Sequence, residues 1–170
     1  QLAEARAPRK TRGKRGGSDY GMQLLEKQKA RFTYGLSESQ FSRYVNEAIE
    51  QRGINSMQGL MNRLESRLDN IVYRAGFVKT RRAARQLVSH GHVMVNGKRM
   101  NVPSFRAKAG DAVAIRTESR QSPLFQSRTE DAAQGSVPQW LELGDNGFSA
   151  TVKHEPAMAQ REHAGLHAHD

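Results

Sequence analysis

Apolar residues recur along most of the chain with a helical period. Phe41, Tyr44, Val45, Ala48 and Ile49 fall at i, i+3, i+4, i+7 and i+8, which predicts an amphipathic helix with that stripe buried. Ser37 and Gln40 ahead of it match a capping box, and Gly53 behind it supplies a stop. Upstream, Ser18-Asp19 offers an N-cap for a short helix carrying Met22, Leu24, Leu25 and Phe32. Downstream, Met57, Leu60, Met61, Leu64, Leu68, Ile71, Val72 and Ala75 form a continuous stripe, predicting one long helix that starts after Asn55-Ser56. Gly76 stands at its left-handed capping position, with Phe77 placed for the accompanying apolar contact. Thr80 then caps a further helix whose inner face is Ala83, Ala84, Leu87 and Val88, and Gly91 ends it.

At His92 the period drops from helical to alternating. His92 to Asn101 reads as two short strands joined by Asn96-Gly97, a strong hairpin signal. Gly110-Asp111 precedes a strand from Ala112 to Arg116, with Val113 and Ile115 inward, and Val137 to Leu143 forms one more, anchored by Trp140. From Lys153 onward no periodicity remains. The pattern is α+β: a small helical N-terminal part, then helices packed on a small, mainly antiparallel sheet.

Length and composition narrow the class. With 170 residues the chain forms one ordinary domain or two small ones, and 36% hydrophobic content with a mean hydropathy of −0.76 is lean for a large enzyme interior. No apolar run approaches the roughly 20 residues of a membrane span. The absence of cysteine excludes disulfides, a thiol nucleophile and cysteine-ligated zinc within this sequence. No signal-peptide pattern opens it, and a start at Gln1 rather than Met leads us to expect missing native N-terminal residues.

The charge is uneven. The net charge is +10; residues 1–59 contribute +5, residues 60–120 contribute +9 and residues 121–170 contribute −4. A local excess of +9 indicates a polyanionic partner, nucleic acid above all; an acidic membrane is disfavoured by the lack of a long basic amphipathic helix with an aromatic face. The stretch from Arg6 to Gly17 is basic, glycine-rich and nearly devoid of apolar residues, so it is expected to be a disordered arm until an anion orders it; Arg9, Lys10, Arg12, Lys14 and Arg15 are its candidate contacts. Lys27, Lys29 and Arg31 follow on the first helix. Arg81 and Arg85, four apart, share one helix face with Arg82 beside them, suited to a phosphate backbone and expected to contribute little to folding.

Catalytic and metal motifs fail. His163 and His167 have the i, i+4 spacing of a zinc pair, but the glutamate of such a helix is missing, and His154 and His169 complete no ligand set. Gly97-Lys98 is not a phosphate loop, because the earlier glycine would fall on His92 and position 99 is arginine. Asp69 and Asp111 read as isolated acids explained by local structure. No paired carboxylates or Ser/His/Asp set stands out, so we expect no enzyme, cofactor or metal.

The run from Leu64 to Phe77, then Thr80 to His90, then Val93 to Lys98 strongly resembles the S-four RNA-binding module. Ser18 to Gly21, Glu26 to Lys29, Tyr34-Gly35 and Gln40-Phe41 extend the resemblance to the bacterial-type small-subunit ribosomal protein S-four family, over about residues 17–145. The resemblance implies a structural rRNA binder: a primary binder of a helical junction in the 5′ domain of small-subunit rRNA and a nucleator of assembly. It also implies S-five and S-three as protein neighbours, messenger RNA close by where it enters the subunit, and a role in translational accuracy. Mapped residue by residue, the RNA-facing helix falls on Thr80, Arg81, Arg82, Arg85, Gln86 and His90, and the hairpin on Asn96, Gly97 and Lys98; Arg67, Arg74 and Lys79 complete the expected surface. A polar, histidine-containing end from Arg161 to Asp170 departs from the family's hydrophobic C-terminus.

The expected organisation is a basic arm (1–17), a helical domain (18–55), the S-four module (56–120), an extension packing on the core (121–152) and a polar, disordered tail (153–170). The alternatives are a module-bearing paralogue acting on other structured RNA, and a helix-turn-helix DNA binder built on residues 57–90. The location implied is the ribosome of a bacterial cytoplasm, with a mitochondrial or plastid ribosome as the alternative.

Overall fold

The computed structural model describes residues 25–51, 53, 55–125 and 137–156. The expected Ser18-Asp19 cap, Met22, Leu24, the basic arm and the end of the tail lie outside them. The chain divides into two compact units between Phe41 and Ser42. In the first, residues 25–34 are helical (α1) and end at Gly35, where Gly35 N–H donates to Phe32 O and Leu36 N–H to Arg31 O, both at 3.1 Å. Tyr34, Leu36 and Phe41 are buried there, while Leu25 and Phe32 are exposed.

Helix α2 spans Glu38–Glu50, capped as expected by Ser37, whose Oγ accepts from Gln40 N–H at 3.2 Å. Tyr44 and Ala48 are buried, but Ile49, expected in the same stripe, is exposed.

The expected single long helix is two. Helix α3 runs Ser56–Glu65, capped by Asn55 Oδ1 on Met57 N–H at 2.8 Å, and α4 runs Leu68–Arg74. Between them Arg67 is extended and forms an isolated antiparallel bridge with Arg106. The first amides of α4 have no side-chain cap; Leu68 N–H donates to Phe105 O at 2.9 Å and Asp69 N–H to Pro103 O at 3.1 Å. The break is thus stabilised by the loop that carries Pro103 and Phe105, and Leu64 and Leu68 on its two sides are both fully buried.

Helix α4 closes at Gly76 as expected, with Gly76 N–H on Tyr73 O and Phe77 N–H on Val72 O, and Phe77 fully buried. Thr80 Oγ1 accepts from Ala83 N–H at 3.0 Å and starts α5, Arg81–Ser89. Ala84, Leu87 and Val88 are buried, and Gly91, at φ +85°, reverses the chain.

Among the described residues five strands form one antiparallel sheet in the order β2-β1-β3-β5-β4: β1 Val93–Val95, β2 Lys98–Arg99, β3 Ala112–Ile115, β4 Leu141–Leu143 and β5 Ser149–Val152. Asn96 (φ +53°) and Gly97 (φ +84°) make the β1–β2 turn, both in the left-handed region that matches strand twist. Strand β4 is shorter than the expected Val137–Leu143, and Trp140 is buried just before it. Strand β5 was not expected at all, yet it is an interior strand, pairing with both β3 and β4. One apolar core joins Leu68, Ile71 and Val72 of α4, Leu87 and Val88 of α5, Val93, Val113 and Ile115 of the sheet, and Trp140, Ala150 and Val152.

Candidate RNA interface

Helix α5 is short, with a buried face of small and branched residues, so its charged face is presented at a fixed height over α4. Lys79, Thr80, Arg82, Gln86 and His90 are exposed; Arg81 and Arg85 are half-buried. The Asn96-Gly97 turn with Lys98 and Arg99 is exposed too. The hairpin meets the C-terminal end of α5, since a Cβ on Gly91 would lie 3.6 Å from Arg99 Cδ. Arg99 therefore belongs to the same basic neighbourhood, beyond the expected Asn96, Gly97 and Lys98; its signal in the sequence is the Lys98-Arg99 pair directly after the Asn-Gly turn.

Some expected contact residues carry the structure instead. Arg67 is buried: Nε donates to Asp69 Oδ1 at 3.0 Å, Nη2 to Asp69 Oδ2 at 2.8 Å, and Nη1 to Tyr44 OH at 3.0 Å. Burial opposes its charge, but hydrogen bonding and attraction from Asp69, with Tyr44 adding, hold its pKa above the ordinary arginine value. It is an interior ion pair, not a surface contact. Arg74 is half-buried, with Nε and Nη2 on Glu65 Oε1 and Oε2 at 3.1 and 2.9 Å.

Arg81 and Arg85, expected to contribute little to folding, also bond to residues of α4. Arg81 Nε donates to Asn70 Oδ1 at 3.1 Å, and its guanidinium lies 4.4 Å over the Tyr73 ring. Arg85 Nε donates to Asp69 Oδ2 at 3.3 Å. Asp69, expected to be an isolated acid, thus links the α3–α4 break to α5.

Asn96 is exposed yet engaged. Its Nδ2 donates to Asp111 Oδ1 at 3.0 Å and its Oδ1 accepts from Ala112 N–H at 2.9 Å, which fixes the turn against β3. Asp111 also accepts from Lys108 N–H at 2.8 Å, the local role expected of it. Thr80 spends its hydroxyl on the cap.

In the first unit, Lys29 is exposed and Lys27 half-buried; Arg31 lies 4.4 Å over Phe32 and donates through Nη1 to Leu36 O at 3.3 Å. Arg9, Lys10, Arg12, Lys14 and Arg15 lie outside the described residues, as do His163, His167 and His169.

Arg63 was not singled out from sequence. It stacks 4.4 Å over Tyr44, donates through Nη2 to Ser104 O at 3.3 Å, and keeps Nη1 buried without a partner among the described residues. Burial lowers its pKa from the ordinary arginine value, against the attraction of Tyr44 and with Arg106 adding to the fall.

A capped basic helix and a basic hairpin, set on a small antiparallel sheet and beside buried ion pairs, make an α+β module with a cationic face. Two family models cover this chain: the "S4 domain" over residues 66–113 and the "Ribosomal protein S4/S9 N-terminal domain" over residues 3–65. The chain is 49% identical over 146 residues to "Small ribosomal subunit protein uS4" of Persephonella marina, covering 85% of this chain and 71% of the relative. It is 52% identical over 139 residues to the protein of the same name from Natranaerobius thermophilus, covering 82% and 66% respectively. The Aquifex aeolicus protein of that name is 45% identical over 144 residues, covering 84% and 68%. The chain belongs to the uS4 family of small ribosomal subunit proteins.

Proposed function

We propose that this chain is a structural, non-catalytic rRNA-binding protein of the small ribosomal subunit, gripping RNA through α5 and the β1–β2 hairpin. The observation that carries the reading is the identity of 45–52% to three uS4 proteins, in a chain whose own residues 60–120 hold +9. Two of the four acids in that stretch, Glu65 and Asp69, are buried in ion pairs, so the exposed cations of α5 and the hairpin dominate the surface field.

Its RNA target is a helical junction in the 5′ domain of small-subunit rRNA, bound early enough to nucleate assembly. S-five and S-three are its protein neighbours and messenger RNA passes close by, in the ribosome of a bacterial cytoplasm. Binding to a 5′-domain transcript, together with co-sedimentation on small subunits, tests the reading. Failure to co-sediment, with tight binding to an unrelated structured RNA, favours a paralogue and overturns it.

A further inference from the structure

Two consecutive residues at the start of α4 each end a chain of polar bonds, and each chain delivers one arginine of α5. In one, Tyr44 OH accepts from Arg67, Arg67 pairs with both oxygens of Asp69, and Asp69 Oδ2 accepts from Arg85 Nε. In the other, Arg74 pairs with both oxygens of Glu65, Asn70 Nδ2 donates to Glu65 O and Oε1, and Asn70 Oδ1 accepts from Arg81 Nε.

The Asp69 carboxylate is already matched by Arg67, whose side chain is only 3% exposed, so Arg85, at 37%, is not needed to neutralise it. Glu65 is matched by Arg74, and the acceptor offered to Arg81 is a neutral amide. Each chain of bonds therefore holds one guanidinium of α5 in place through its Nε. Both anchors use Nε, at i and i+4 of α5, so the planes of both forks are constrained from the same side. Ordering them on folding removes side-chain entropy that RNA binding would otherwise have to overcome.

We infer that Asp69 and Asn70 are positioning residues for RNA binding: they set the planes of Arg85 and Arg81 against the phosphate backbone, so that a buried acid and a buried amide strengthen the grip on a polyanion. The inference rests on the proposed RNA role of α5.

The test titrates full-length wild type and variants with a 5′-domain rRNA transcript and with a mixed-sequence RNA duplex, with urea melts on the same preparations. Asp69→Asn makes the protein one charge more positive, so non-specific electrostatics alone calls for tighter binding to both RNAs. Positioning instead calls for a loss of roughly tenfold on the transcript, with no loss on the duplex. Arg85→Lys and Arg81→Lys keep the charge and remove the Nε anchor at side chains already partly exposed, so they carry the test even if Asp69→Asn does not fold. Each is expected to lose about as much transcript affinity as the matching alanine variant and to keep wild-type duplex affinity. Lysine variants that bind the transcript like wild type, beside alanine variants that do not, overturn the inference and leave the RNA role of α5 standing. An Arg81→Ala/Arg85→Ala double variant that binds the transcript like wild type overturns the placement of RNA on α5 itself.

Discussion

Arg67 Nη1 donates to the hydroxyl of Tyr44 at 3.0 Å, so a helix residue and the α3–α4 break hold each other across 23 positions of sequence. Tyr44 is only 2% exposed, and its ring also supports the Arg63 guanidinium at 4.4 Å. Removing the hydroxyl alone leaves a buried guanidinium N–H without its acceptor while keeping the stacking. Tyr44→Phe is expected to lose about 1–3 kcal/mol of unfolding free energy in urea. A variant as stable as wild type would show that water replaces the lost partner.

Arg67→Ala tests the reassignment of that residue from surface contact to interior ion pair. It strands the Asp69 carboxylate, 5% exposed, with Arg85 alone. The expected cost is about 3–5 kcal/mol, seen as a large fall in the urea midpoint. A full-strength fold with weakened RNA binding would restore Arg67 to the interface.

Gly97→Ala isolates backbone strain. The residue sits at φ +84° with nothing within 4 Å of where a Cβ would stand, so no clash contributes. The left-handed conformation alone should cost about 1–2 kcal/mol in thermal or urea unfolding. A neutral substitution would mean that the turn relaxes to another type.

What was legible in the sequence was whatever local chemistry dictates. The Thr80 and Ser37 caps, the Gly76 and Gly91 reversals and the Asn96-Gly97 turn each follow from a few neighbouring residues, and each stands where expected. The α3–α4 break was not legible, because its amides are satisfied by carbonyls of Pro103 and Phe105 and the local cap residue is an arginine. Strand β5 was missed for a similar reason. Only Ala150 and Val152 alternate inward, and its place in the sheet comes from pairing with β3 and β4 rather than from its own residues. Within the site, the basic face of α5 could be read from spacing, but which arginines are anchored could not. A buried partner such as Asp69 lies 16 positions from Arg85, and charge counting treats every cation alike.

Exposed cations of the proposed interface should act through phosphate. Arg82 and Lys98 are both exposed, one on α5 and one on the hairpin. The slope of log affinity against log salt for the 5′-domain transcript should be steep. Arg82→Ala or Lys98→Ala should each flatten it by about one and weaken binding to matched and mismatched junctions alike. A slope unchanged by both substitutions would place the phosphate contacts on other cations.

The Arg81→Ala/Arg85→Ala variant should show a stability cost that helix position alone does not suggest. Arg85 gives up a partly exposed ion pair with Asp69, worth up to about 1 kcal/mol. Arg81 gives up its bond to Asn70 and its place over the Tyr73 ring, the ring contact being worth about 0.5–1 kcal/mol at such a site. The core beneath α5, formed by Ala84, Leu87 and Val88, is untouched, and Asp69 keeps its two-point pair with Arg67. Unfolding free energy is therefore expected to fall by about 1–2 kcal/mol, with the cooperativity of the transition unchanged. Transcript affinity should fall further, by about 1.5–3 kcal/mol for each lost charge-assisted contact before any coupling between the two. The diagnostic quantity is the ratio of the two losses on one preparation. If stability and affinity fall in equal measure, the arginines act on RNA only by holding α5 on α4; if affinity falls several times further, they touch the RNA themselves.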